Sequence, residues 1–186
     1  MLEFKNVCKD FENPVIENLS FRLAEGERLA VLGESGIGKT TIINLILGIT
    51  QPDCGEVINT FERISTVFQE NRLIEEISAL KNLKIVTEKT DPELREILRD
   101  LKIENPDEIV MNLSGGMKRR VAIARALIYD ADLYLLDEPI QGLDDETRKT
   151  VIKKILETTK EKSLILITHS KDDIRDFEIE SELKLK

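Results

Sequence analysis

Four short apolar runs punctuate the chain, at residues 28–32, 64–68, 133–137 and 163–168. Each is too short and too continuously apolar for a strand with one wet face, so each predicts a buried central strand covered on both sides. Longer stretches with helical spacing lie between them, at 41–47, closed by Gly48 and Pro52, and at 118–129. Short strands alternating with helices are the trace of strand and crossover-helix units around a largely parallel sheet. Residues 1–25 and the tail at 177–185, with Phe177, Ile179, Leu183 and Leu185, alternate apolar and polar side chains instead. That pattern predicts antiparallel strands with one solvated face. Between Gln69 and Leu113 apolar positions thin out and charges rise, and 82–86 and 93–101 read as amphipathic helices of a small insertion hung on the sheet domain. The sequence has no internal repeat, low-complexity tract or Gly/Ser linker.

Composition narrows the function classes. A chain of 186 residues, 41% apolar, has enough material for one core with a small insertion, which excludes global disorder. No uninterrupted apolar run reaches the length of a transmembrane helix, and the first ten residues lack the basic start and apolar centre of a signal peptide. These features predict a soluble protein that stays where it is made. Cys8 and Cys54 show no metal-ligand spacing and predict a reducing cytosol, with neither a disulfide framework nor a zinc site. With 27 basic and 36 acidic side chains the net charge is −9. Duplex binding draws on Lys and Arg to neutralise phosphates, so no nucleic-acid partner is expected, although a locally basic pocket remains open.

Candidate chemistry begins after the first apolar run. Gly33, Glu34, Ser35, Gly36, Ile37, Gly38, Lys39 and Thr40 fit the spacing GxxxxGK[ST], between a strand and a helix that continues through Thr41. Glycines let backbone N–H groups turn inward around phosphate oxygens, and the helix N-terminus adds positive potential. Lys39 then reaches the β and γ phosphates, and the Thr40 hydroxyl can ligate Mg²⁺. A second candidate is the run 133–138, an apolar strand ending in Asp137 and Glu138. A buried carboxylate is costly unless a cation or good hydrogen bonds compensate it; a phosphate-bound Mg²⁺ would supply that compensation, and ligands of open α/β sheets sit at the carboxyl ends of strands. Asp137 is therefore the metal-side carboxylate, and Glu138 is the candidate to position and deprotonate an attacking water.

A third feature breaks local rules. Ser114 is a good N-cap, yet Gly115 and Gly116 follow it, and then come Lys118, Arg119 and Arg120, cations near the helix start that add to the positive end of the helix dipole instead of offsetting it. Such a helix start suits a phosphate. The chain's single histidine, His169, follows a third strand end on the same predicted edge as the phosphate loop.

Together these residues resemble the ATP-binding-cassette (ABC) ATPases. Residues 33–40 look like their Walker A motif, 113–117 like the LSGGQ signature and 133–138 like Walker B, with Gln69 as the Q-loop glutamine, 142–144 as the D-loop and His169 as the switch histidine. The resemblance covers essentially the whole chain. It implies an α/β fold of P-loop NTPase type: a parallel-sheet core with an antiparallel β subdomain over 1–69 and 130–186, and a helical subdomain over 70–129. ATP and Mg²⁺ are the implied cofactors. Phe11 would stack on adenine, Gln69 would bind Mg²⁺ or the attacking water, and His169 would contact the γ-phosphate and hold Glu138 and the water in line. Ser114, Gly115 and Gly116 would meet the nucleotide of a partner chain, and Asp144 serves as a helix cap, a dimer contact, or both.

The resemblance further implies an ATP-hydrolysing subunit of a transporter, peripheral on the cytoplasmic face of the membrane through a separate permease and paired as a homodimer or heterodimer. The stretches 69–73 and 79–83 and the variant Met117 resemble bacterial importer ATPases of the nitrate, sulfonate and taurine type. Met117 and the pair Ile140 and Gln141 depart from the usual pattern near the dimer interface. A P-loop kinase, which leaves the 114–116 run and His169 unexplained, a non-transport cassette acting on a soluble partner, an exporter subunit and a pure binding module are the competing readings.

Overall fold

The computed structural model describes residues 1–34 and 36–185. The chain divides into two units: residues 1–64, 131–137 and 161 onward form the first, and residues 65–130 and 138–160 form the second.

In the first unit, β1 (Leu2–Asp10) pairs antiparallel with β2 (Pro14–Leu23) on one side and with β4 (Cys54–Asn59) on the other. Leu2, Phe4, Val7, Ile16 and Leu23 are buried while the residues between them are largely solvated, the alternation expected of a one-faced sheet. Phe4 stacks on Phe21 with ring centroids 4.5 Å apart. The β1–β4 register shifts between Lys5 and Cys8. There Gly55 sits at φ 75°, with its missing Cβ only 2.3 Å from the Asn6 carbonyl oxygen, so no larger residue fits.

A five-stranded sheet follows the order β5 (Ile64–Val67), β6 (Leu133–Asp137), β7 (Ser163–Thr168), β3 (Arg28–Leu32), β8 (Ser181–Lys184). β6–β7, β7–β3 and β3–β8 are all parallel. Every residue of β6 and β7 is buried, as their unbroken apolar runs predicted. The helices of this unit are α1 (Lys39–Ile46) and α6 (Lys171–Asp176).

Two sequence expectations fail here. The tail does not form antiparallel strands: β8 runs parallel to β3. The reason is α6, a crossover that returns the chain to the starting edge of the sheet, while Phe177 and Ile179 are buried in the connection that precedes the strand. Nor are Cys8 and Cys54 two thiols. Antiparallel pairing sets them opposite each other on β1 and β4 with Cα atoms 5.0 Å apart, and they are joined as a disulfide.

The second unit carries α2 (Ala79–Lys84), α3 (Asp91–Asp100), a 3-10 turn (Val110–Asn112), α4 (Gly115–Ile128) and α5 (Asp145–Thr158). Leu80, Leu83, Leu94, Leu98, Leu101, Val121 and Ile123 form its core. Burying one such side chain contributes roughly 1.5–3 kcal/mol. α3 begins in a capping box, in which the Thr90 N–H donates to Glu93, and Thr90 in turn accepts from the backbone at Glu93. Buried Asn82 accepts from the Ile74 N–H and donates to the Ile74 carbonyl, each at 2.9 Å, fixing the extended segment before α2.

Candidate active site

β3 ends at Leu32, and the chain turns through Gly33, Glu34, Gly36 and Ile37 to Gly38, the N-cap of α1; Ser35 lies outside the described residues. Gly38 is left-handed at φ 101°, and a Cβ there would lie 2.8 Å from Val15 Cγ1 and 3.1 Å from the Val15 carbonyl oxygen. Gly33 is likewise closed to a side chain, because Ile37 Cγ2 is 2.7 Å from the Cβ position. Among the described residues no side chain caps α1, and no acidic residue occupies its first turn, so its leading N–H groups are left for whatever the loop encloses. Lys39, only 8% exposed, folds back over the loop and donates from Nζ to the carbonyls of Gly33 (2.7 Å) and Glu34 (3.0 Å). Thr40 is exposed beside it. An uncapped helix start with a buried ammonium inside the loop is a fit for phosphate oxygens.

The sheet brings two more predicted residues to this edge. Leu32 pairs in register with Thr168, and Asp137 with Ile167. The ends of β6, β7 and β3 therefore stand side by side, about 5 Å from one to the next. Asp137, 2% exposed, closes β6, and exposed His169 follows β7 directly. The turn carrying His169 is held by Thr168, whose hydroxyl donates to Asp173 Oδ2 (2.5 Å) and accepts from the Ser170 N–H (3.0 Å). A cleft of about 450 Å³ is lined by Gly33, Glu34, Ile37, His169, Lys184 and Leu185. A neighbouring cleft of about 490 Å³ shares Ile37, Lys184 and Leu185 and is walled by residues 14–20 of β2. Nothing in the spacing of the sequence singled out this wall or Lys184, because their place depends on which strands pair. Phe11 is 63% exposed at the β1–β2 turn and lines neither cleft.

The second unit holds the other predicted residues. Gln69 is exposed just after β5, and Glu138, 6% exposed, adopts a left-handed conformation at φ 45°. Ser114 caps α4, its hydroxyl accepting from the Met117 N–H at 3.3 Å, and Ser114 and Gly115 are solvated. A Cβ on Gly116 would lie 3.6 Å from Leu143 Cδ2, so the signature-like run and the 142–144 run are neighbours. Asp144 caps α5, accepting from the Thr147 N–H at 3.0 Å, and that backbone bond holds its carboxyl below the usual carboxylate range.

The cations after Gly116 have internal partners. Lys118 pairs with Glu75 (2.9 Å). Arg120 donates to the carbonyls of Leu101 (2.9 Å) and Lys102 (2.6 Å); burial pushes its guanidinium down from the ordinary value, and nearby Asp144 offsets part of that. Arg119 is buried among backbone carbonyls. The sequence pattern gave these three the task of attracting a phosphate, and the fold uses them as internal donors. Among the described residues no group of three or more His, Cys, Asp or Glu side chains could hold a metal. The Thr40 hydroxyl and the Asp137 carboxylate are hard oxygens of the kind Mg²⁺ takes one or two at a time, together with waters and substrate phosphates.

Comparison with known proteins places the chain in a family. The sequence pattern of the ABC transporter family matches residues 16–141. The taurine import ATP-binding protein TauB of Roseobacter denitrificans is 37% identical over 92% of this chain and 73% of its own length. The spermidine/putrescine import ATP-binding protein PotA of Mycoplasma capricolum is 33% identical over 93% of this chain, which spans only 55% of that relative. An ATP-binding cassette solved as a dimer in a post-hydrolysis state with ADP and Pi superposes with a TM-score of 0.85 at 28% identity, over 100% of this chain and 94% of its own. The chain belongs to the ABC transporter family, as an ATP-binding subunit with ATPase activity. Among the described residues no helix is long and apolar enough to cross a membrane.

Proposed function

We propose that this protein is the ATP-hydrolysing subunit of an importer, driving a separate membrane permease by nucleotide-dependent dimerisation. The observation that carries the catalytic part is the uncapped start of α1 with Lys39 buried inside its loop, on the same sheet edge as Asp137 and His169. Residues 33–41 bind the phosphates, Lys39 offsets the charge of the β and γ groups, and His169 contacts the γ-phosphate from the strand end next to Asp137's. Thr40 and Asp137 supply hard oxygens to Mg²⁺, which when bound screens the phosphate charge. In the second unit, Gln69 and Glu138 handle the water. Its oxygen bonds to the γ-phosphorus as the bond to the β–γ bridging oxygen breaks, the electron pair leaves with ADP, and Glu138 takes the proton, leaving ADP and inorganic phosphate.

Dimerisation is supported by an imbalance: each chain has one phosphate loop but also a solvated, Ser114-capped glycine helix start suited to a second γ-phosphate. Ser114, Gly115, Gly116 and Asp144 face the partner in this reading. Phe11, exposed with Lys9 Nζ 5.4 Å over its ring, is the adenine platform. Import is supported by the relatives TauB and PotA, both import ATP-binding proteins. Partly exposed Ile74, Ile109 and Met111 supply apolar surface for a permease loop, and the chain works at the cytoplasmic membrane face. The test has two arms. Glu138→Gln protein should dimerise with saturating Mg·ATP by light scattering while releasing no phosphate, and a monomer under those conditions ends the homodimer reading. Affinity purification from native membranes should recover a multi-span permease, and recovery of a ribosomal or DNA-repair factor instead overturns the transport assignment.

A further inference from the structure

We infer that Arg119 is a positioning residue for hydrolysis, tying the backbone that carries Gln69 to the backbone that carries Glu138; this rests on the reading of those two residues as the groups that handle the water. Arg119 is 5% exposed. On one side its Nη1 donates to the carbonyls of Phe68 and Gln69 (3.2 Å) and lies 3.4 Å from Asn71 Oδ1. On the other, Nη2 donates to the Glu138 carbonyl (2.7 Å) and Nε to the Pro139 carbonyl (2.9 Å). One side chain thus anchors both peptide units of Gln69's junction with β5 and both carbonyls that bracket the Glu138–Pro139 link.

The residue type matters. A guanidinium presents five N–H donors in a fixed plane, so its two edges can hold two segments at a set separation. An ammonium presents a compact point charge that swivels and cannot span them. Burying a cation is costly unless its donors are satisfied, and here backbone oxygens from both segments satisfy them together. Glu138 itself is in the left-handed region at φ 45°, a conformation that a residue with a Cβ keeps only where its surroundings over-determine it. The Arg119 bonds to its own carbonyl and to the next one are such a constraint. Through them the direction of the Glu138 side chain is fixed by the same group that fixes the start of the Gln69 segment. A helix residue that the sequence placed among phosphate-seeking cations becomes the rivet of the water-handling segments.

The full-length chain tests this with Arg119→Lys and Arg119→Gln, which keep respectively the charge and two of the donors. The expected result is a fall in kcat of about 10–100-fold, the usual cost of losing an orienting partner. KM for ATP and the affinity for a fluorescent ATP analogue should change by no more than about threefold, because the phosphate loop is untouched. Amide hydrogen exchange should rise together at residues 69–72 and 140–142, Pro139 having no amide hydrogen. An unchanged kcat, a loss of nucleotide affinity in step with kcat, or faster exchange in one segment only would overturn the inference. Failure of both variants to fold would assign Arg119 a structural role and overturn it as well. Glu138→Gln measured in parallel separates the two levels. Wild-type turnover there removes the underlying reading, whereas an inactive Glu138→Gln beside a fully active Arg119→Lys removes only the inference.

Discussion

The starts of α1 and α4 look alike as sequence, glycines leading into lysine, yet the fold treats them in opposite ways. α1 begins at a left-handed Gly38 with no side-chain cap, and its lysine is buried against the loop's own carbonyls. α4 begins at Ser114, whose hydroxyl satisfies the Met117 N–H, and its three cations are bonded within the second unit. A helix start can therefore be an anion site because its own donors are left for a ligand, or a presenting surface because they are already met. The first kind should be intolerant of change in its lysine and glycines. The second should tolerate change in stability while losing function with a partner.

The largest effect should come from Lys39→Ala, lowering kcat/KM for ATP by at least about 100-fold, the scale of removing one preorganised charge-stabilising donor. Its counterpart Lys118→Ala breaks a half-solvated pair with Glu75, worth at most about 1 kcal/mol. Steady-state phosphate release on both proteins checks this. Comparable losses from the two would erase the distinction between the helix starts.

The glycines sharpen it next. Gly38→Ala forces a Cβ against Val15 at a left-handed φ and should destabilise the protein by about 1–3 kcal/mol. A Cβ on Gly115 meets nothing within 4 Å, so Gly115→Ala should hold or raise the melting temperature, alanine being favoured over glycine in a helix by roughly 0.5–1 kcal/mol. If Gly115 faces a partner's nucleotide, the same variant should still lose ATPase activity. Thermal melts alongside turnover assays read both. Ser114→Ala follows, with a loss of about 1 kcal/mol for the missing cap.

The comparison also marks what a sequence can carry. β3, β6 and β7 match their expected limits because burial on both faces leaves a continuous apolar run, a local signal. The phosphate loop is legible for the same reason: its chemistry is contained in consecutive residues. The direction of β8 is not, since alternation at 177–185 records a strand but not its partner. Cys8 and Cys54, 46 residues apart, become neighbours only through the β1–β4 register. The Lys118, Arg119 and Arg120 cluster shows the same limit at the site. Spacing places three cations on a first turn, while the acceptors that claim them come from residues 68–75, 101–102 and 138–139. Charge type is written locally, and its destination is not.

The smallest effect separates the caps of α4 and α5 by their chemistry. Ser114 does not titrate, so the cost of Ser114→Ala should be the same at every pH where the protein folds. Asp144 caps α5 with a carboxylate whose pKa is lowered, chiefly by the Thr147 N–H that it accepts. The folded state therefore binds fewer protons than the unfolded one in that range. The contribution of the cap is fully present above the ordinary aspartate value of about 3.9 and is lost as pH falls through the lower folded value. Other carboxylates are lowered too, among them Asp107 beside Arg95 and Asp132 beside Arg63, so the whole protein loses stability in acid. The gap between wild type and Asp144→Ala isolates the one cap. Urea unfolding should show that gap at pH 7 and a smaller one at pH 3, while Asp144→Asn, an uncharged cap, should narrow the difference between the two pH values. A gap that stays constant into acid would mean that Asp144 acts by packing and not as a charged cap.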